Sequence, residues 1–215
     1  MKRIIYLGMM VSFAALTSCG GESTEGTETD TDTTAVVEEV VETTVTQFTI
    51  DTMASTVNWK GYESMDPEDG YHFGTVGIAE GSFEITSEGE MHSVTSGSMT
   101  LDMASIQSGE ELDKLTGHLQ APDFFNVAEF ATSSFTVTGY ADGAIEGTLN
   151  VLGSEVNISA PSSIDVTEGI ATVSVEEFRI DMTPLNMPFF IANAEQPEEE
   201  QQDPNIAVNA TIVGM

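Results

Sequence analysis

The sequence predicts an all-β fold, a barrel or a sandwich of about eight antiparallel strands with one short helix. Three observations carry that reading. Apolar residues alternate with polar ones at period two through Ser82-Phe83-Glu84-Ile85-Thr86, Met99/Leu101/Met103 and Ser134-Phe135-Thr136-Val137-Thr138. Turn dipeptides punctuate the runs at Asp69-Gly70, Glu88-Gly89, Asp142-Gly143 and Glu168-Gly169. Within the alternating region one helical interruption stands at Glu110 to Leu119. Period-two runs separated by X-Gly turns are the signature of hairpin-connected strands, and this many of them imply a sandwich or a barrel.

The remaining strands follow in order. Ile145, Leu149 and Val151 continue the alternation, then Val173 and Val175, and Ile206 to Val213 closes the chain. Several strands read as ten residues or longer, which at ~3.3 Å per residue gives a tall structure. An eight-stranded barrel has an interior just wide enough to fill with side chains or to hold one small ligand. Periodicity does not choose between filled and hollow.

The N-terminal region has a different texture. Met1-Lys2-Arg3 is positive, Ile4 to Leu16 is mostly apolar, and Leu16-Thr17-Ser18-Cys19-Gly20 resembles a bacterial lipobox. Residues 1–18 are therefore expected to be a lipoprotein signal peptide, cut ahead of a lipid-bearing Cys19. Several acyl chains at ~0.8 kcal/mol per buried CH₂ anchor a protein firmly. Gly20 after the cysteine favours an outer-membrane lipoprotein, facing the periplasm or the cell surface. Residues 20–46 hold eight acids, nine threonines and no base. Low hydrophobicity with like charge does not offset ordering entropy, so residues 19–46 are expected to be the lipidated cysteine plus a disordered acidic tether. The folded domain is then 47–215.

Charge excludes two classes of partner. The chain has 5 Lys+Arg against 36 Asp+Glu, and beyond residue 18 the only cations are Lys60, Lys114 and Arg179. Nucleic acid binding needs cations that displace counterions, and an anionic membrane surface needs a polybasic patch. Strong self-repulsion favours a monomer at low salt and leaves room for a weak dimer at high salt.

Catalytic and metal-binding chemistry finds little support. The chain lacks G-x-S-x-G, G-x-x-x-x-G-K-[ST] and G-x-G-x-x-G, so no enzyme is expected. His72, His92 and His118 are far apart, and Cys19 is the single cysteine, so no metal site or cofactor is expected. His118 reads as structural, fixing the corner that follows the helix before Asp123. The acidic run Glu195–Asp203 lacks the Asp/Asn ladder of a calcium loop and reads as solvated.

Four segments in this order resemble the YceI-like family of lipid- and polyisoprenoid-binding proteins. They are Tyr71-His72-Phe73-Gly74-Thr75-Val76, Gly97-Ser98-Met99-Thr100-Leu101-Asp102, Gly117-His118-Leu119 through Asp123-Phe124-Phe125-Asn126, and Ala128-Glu129-Phe130-Ala131-Thr132. The resemblance spans roughly Phe48 to Val213. It implies an extended, antiparallel, lipocalin-like β-barrel that holds a long apolar chain in its lumen. The lumen candidates are Trp59, Tyr62, Phe73, Phe83, Met99, Met103, Phe124, Phe125, Phe130 and Phe135, because a lipid site needs apolar walls and methionine adapts to a disordered chain.

Departures from the family pattern all remove positive charge or add negative charge. Asp181-Met182-Thr183 stands where many members have Asp-Arg-Thr, and Gly153-Ser154-Glu155-Val156 lacks a common lysine. Residues 47–215 carry 28 acids and three bases. A pyrophosphate head group needs cationic or backbone donors, so the expected ligand is neutral: an isoprenoid, a quinone or a fatty amide. The alternative is an acidic surface module whose barrel is filled by its own side chains and binds no lipid. Lumen volume separates the two.

Overall fold

The computed structural model describes residues 41–110 and 113–215. The signal-peptide and Cys19 expectations, and the tether up to residue 40, lie outside the described residues. Nine strands form one antiparallel sheet: β1 (Thr43–Thr49), β2 (Thr56–Tyr62), β3 (Tyr71–Glu88), β4 (Met91–Ser108), β5 (Thr132–Ala141), β6 (Ala144–Val151), β7 (Ser154–Thr167), β8 (Ile170–Asp181) and β9 (Asn205–Gly214). Their order is β1-β3-β2-β9-β8-β7-β6-β5-β4, and β4 pairs back onto β3. Strands β2 to β9 thus close an eight-stranded barrel, the expected all-β, lipocalin-like architecture.

β1 lies outside the closed circuit. β3 is long enough to pair with β2 along Tyr71–Val76 and with β1 along Ser82–Glu88. Register shifts between Thr75/Gly77, Ile78/Glu80 and Glu84/Ile85 bend the β3–β4 ribbon, as extra residues in one strand do. β1 begins at Thr43, inside the segment expected as tether. Thr43-Thr44-Val45-Thr46 is β-branched and uncharged, which suits a pleated strand despite the acidic surroundings.

Two-residue hairpins join β5–β6, β7–β8 and β6–β7. Asp142/Gly143, Glu168/Gly169 and Leu152/Gly153 take positive φ in both positions, the geometry whose twist matches the strands. Leu152 at φ 54° pays a left-handed cost of roughly 1–2 kcal/mol. It packs against the core, so the hairpin is held from inside. The helix expected over 110–119 is α1 (Asp113–Gln120), with Asp113 in its first turn and His118 in its last, both favourable to the helix dipole. A second helix, α2 (Pro188–Asn193), lies in the β8–β9 connection between 3₁₀ turns at Thr183–Leu185 and Glu198–Glu200. Val40–Met215 is one compact unit. All the strand pairings fall within it.

Candidate functional site: an apolar lumen

Alternation along each strand turns one row of side chains toward the barrel axis. In β2 that row is Val57 and Trp59; in β4 it is Leu101 and Met103; in β7 it includes Ile158 and Ala160. These rows do not meet. They enclose a cavity of about 220 Å³, where one water needs roughly 10–15 Å³. The barrel is hollow, which removes the structural premise of a lumen filled by its own side chains.

The wall is the informative part. Among the described residues, no ionisable side chain lines the cavity, and its polar residues are Asn58, Ser82, Ser98 and Ser133. Asn58 is already engaged, donating from Nδ2 to Asn209 Oδ1 at 2.8 Å. Such a wall offers a ligand dispersion contact and little else.

Seven of the ten lumen candidates line the cavity: Trp59, Phe83, Met99, Met103, Phe124, Phe125 and Phe135. Tyr62, Phe73 and Phe130 do not. Tyr62 and Phe73 share the outer parity of β2 and β3 with Lys60, since Lys60 pairs with Phe73 and Tyr62 with Tyr71. Phe73 is 43% exposed and its ring lies over Gly109. Tyr62 lies under the Arg179 guanidinium, 4.2 Å from ring centroid to Cζ. Phe130 packs beside Gly153 in the β6–β7 turn. Aromatic character alone did not encode these directions; strand parity did.

The sequence reading also missed Phe178, Ile180 and Met182, which line the cavity. A register shift in β8 between Val175 and Phe178 changes the inward parity from odd to even numbers. Nothing in the local pattern marks that bulge apart from the paired acids Glu176-Glu177, which cannot face an apolar lumen.

One end of the lumen is closed by aromatic rings. Phe124 and Phe125, each 8% exposed, come from the loop after α1, and Phe189 and Phe190 come from α2. Phe124 centroids lie 5.0 Å from Phe125, 5.2 Å from Phe189 and 5.7 Å from Phe190. The Phe189 N–H donates to Asp123 O at 2.9 Å and ties the two segments together. His118 contributes as expected of a corner residue. Its Nε2 is 2.9 Å from Asp123 Oδ2, and its ring meets Phe124 and Phe189 edge-on at 5.8 and 5.3 Å. Sequence adjacency of Phe124 and Phe125 does not separate them, because they sit in a loop rather than a strand.

Charge stays outside. Lys60 Nζ is 2.5 Å from Glu177 Oε2, and that hydrogen bond raises the lysine above its ordinary pKa. Arg179 Nη1 donates to Asp203 Oδ2 at 2.6 Å. Burial opposes the arginine's charge, but Tyr62 and Asp203 outweigh it and raise its pKa. Asp203, 4% exposed, also accepts from the Asn205 N–H at 2.8 Å and Asn205 Nδ2 at 2.7 Å. His72 bridges Glu110 at 2.7 Å and Glu63 at 3.4 Å. Among the described residues, no three His, Cys, Asp or Glu side chains are grouped to hold a metal ion. No helix among them is long and apolar enough to cross a membrane.

Comparison with known proteins agrees with this geometry. A family model for the YceI-like domain matches residues 48–212. The structure of a polyisoprenoid-binding domain from Saccharophagus degradans, implicated in plant cell wall breakdown, superposes with a TM-score of 0.56 at 13% identity, covering 78% of this chain and 97% of that one. BcnA of Burkholderia cenocepacia superposes with a TM-score of 0.57 at 16% identity, covering 77% of this chain and 99% of that one. At these identities the likeness is one of fold. No curated protein matches the chain.

Proposed function

The chain belongs to the YceI-like domain family, and from that premise we propose that its barrel binds a long-chain, uncharged lipid in the lumen and releases it chemically unchanged. The carrying observation is a cavity of about 220 Å³ that, among the described residues, is lined by no ionisable side chain. Moving the chain of an isoprenoid, a quinone or a fatty amide from water into that wall gains ~0.8 kcal/mol per buried CH₂. Ten buried methylenes supply roughly 8 kcal/mol, against association costs of about 4–15 kcal/mol. The gain scales with area and carries no directional requirement, so selectivity among apolar chains is loose.

Head-group selectivity runs the other way. A charged group buried without a partner costs several kcal/mol. Lys60 and Arg179 are committed to Glu177 and Asp203. The fold of the polyisoprenoid-binding domain from Saccharophagus degradans supports the apolar-chain part of this reading. Tethering to the bacterial envelope through a lipidated Cys19 is part of the same proposal. It rests on the Leu16–Gly20 motif and is tested by whether Cys19→Ala moves the protein from the membrane fraction to the soluble one.

The ligand test is a pair of mass spectra, native and denaturing, of the unit Val40–Met215 before and after exposure to a polyprenol and to the matching polyprenyl pyrophosphate. An adduct held natively, lost on denaturation and stronger for the alcohol is the expected result. A bare chain mass with neither lipid overturns the binding reading. Tighter binding of the pyrophosphate overturns the charge argument.

A further inference from the structure

We propose that the outer edge of β1 pairs antiparallel with β1 of a second copy, about a two-fold axis through Val45. β1 already commits half of its backbone groups to β3. Ile50 N–H donates to Gly81 O at 3.0 Å, and the β1–β3 register places Phe48, Thr46 and Thr44 opposite Phe83, Ile85 and Ser87. Antiparallel ladders alternate, so the even-numbered residues exchange hydrogen bonds with β3 and the odd-numbered ones point away. Thr49 confirms the alternation, since its N–H and C=O both bond Met215 at 2.9 Å. Thr43, Val45 and Gln47 therefore direct three N–H and three C=O groups outward. Among the described residues none of them has a backbone partner there.

Natural edges of this kind are blunted with lysine, proline or a bulge. β1 has none of these. Its sequence, Thr-Thr-Val-Thr-Gln-Phe-Thr, contains no ionisable residue in a chain of 36 acids, and its ladder with β3 is unbroken over seven pairs. Val45 is 63% exposed.

The choice of occupant follows from register. Centred on Val45, an antiparallel pair sets Val45 against Val45 of the other copy, Thr43 against Gln47, and Thr44 against Thr46. All six outward donors of the two copies then meet six acceptors, and each facing pair is uncharged. Glu42 falls opposite Phe48 rather than opposite another acid. The two-fold is self-complementary, as a closed dimer interface must be. Opposing it is the repulsion between two strongly acidic bodies, so association rises with ionic strength.

Pairing at the β1 edge follows from the fold alone and does not depend on lipid in the lumen. The test uses the unit Val40–Met215, which lacks Cys19 and so has no native thiol. Single variants Val45→Cys, Thr44→Cys and Gln47→Cys are oxidised, and only Val45→Cys, which meets itself across the axis, forms a covalent dimer in high yield. Sedimentation equilibrium of the parent shows the mean mass rising toward twice the chain mass with protein concentration, more so at about 0.5 M than at about 0.05 M salt. Val45→Pro removes an N–H that β3 does not use and weakens the dimer at least ~tenfold while leaving the circular dichroism unchanged. A monomer at every concentration and salt overturns the proposal. So does equal cross-linking at the three positions, or a dimer that Val45→Pro does not weaken.

Discussion

Replacing Ala160 by phenylalanine converts the lumen from a space into a wall, and the structure sets what that does. Ala160 is 3% exposed, lines the cavity from β7 and pairs with Ile145. A phenyl ring there projects about six carbons into the 220 Å³ space. Burying it gains ~1.5–3 kcal/mol, and crowding against the opposite wall costs ~1–3 kcal/mol. Apo stability therefore changes by at most ~2 kcal/mol, and at about 2–4 °C per kcal/mol the Tm moves by less than ~8 °C. A bound chain, in contrast, loses room for about four methylenes, ~3 kcal/mol at ~0.8 kcal/mol each. That is on the order of a hundredfold in Kd. Titration of a polyprenol against parent and variant, with calorimetric Tm, reads both quantities. Ser159→Phe is the control, because the neighbouring residue is exposed and points to the opposite face. Equal effects of the two variants, or a Kd unchanged by Ala160→Phe, would refute the lumen as the binding site. A Tm fall of ~10 °C or more would refute the vacant space.

Three further perturbations follow from particular contacts. Phe124→Ala removes the ring that touches Phe125, Phe189 and Phe190, so it costs ~3–5 kcal/mol, read as a Tm loss of about 6–20 °C. Gly74→Ala places a Cβ 1.9 Å from Gln107 O and 2.5 Å from the Trp59 ring; backbone and a buried indole cannot both give way, so expression of soluble protein falls sharply, and any that folds melts at least ~5 °C lower. Lys60 has its folded pKa raised above 10.5 by Glu177, so its contribution is fully present below that value and is lost as pH rises through the higher folded one. Tm therefore declines more steeply above about pH 10.5 in the parent than in Lys60→Met.

Much of the fold was written in period-two alternation, because a half-buried strand has to face apolar side chains inward at every second residue. Phe83/Ile85 and Leu101/Met103 obey it without interruption, and the hairpins at Asp142-Gly143 and Glu168-Gly169 each carry an acid-glycine pair whose glycine reaches positive φ freely. Leu152-Gly153 hides its turn, because leucine adopts φ 54° only with tertiary packing behind it. β7 hides behind Pro161, which is tolerated since the β6 ladder ends there and pairing passes to β8 at Ser162. Of the site, local pattern marks residues that face inward in unbroken strands. It fails at Tyr62 and Phe73, aromatics on the outward parity, and at Phe178 and Ile180, which a bulge turns inward. α2 escaped because six residues beginning at a proline are too short for periodicity to register.

The separation of charge from the lumen bears on what the barrel discriminates. An apolar wall cannot distinguish one hydrocarbon from another by more than the area each buries, so chain identity is read weakly. An anionic head group meets two penalties instead. Inside, no ionisable side chain among the described residues faces the lumen; outside, Lys60, His72 and Arg179 each already hold at least one carboxylate, and Lys114 is exposed on α1 and is not part of the cavity lining. Neutralising those acids should therefore relax the selection without touching the cavity. Glu177→Gln frees Lys60, and Asp203→Asn frees Arg179, each leaving every lumen residue in place. Under the charge argument, the double variant binds polyprenol as the parent does and gains at least about threefold for the matching pyrophosphate at low salt, an advantage that fades by about 0.5 M. If the gain persisted at high salt, or the alcohol's affinity shifted with it, selection would arise from lumen shape rather than from the pairing of Lys60 and Arg179 with their carboxylates.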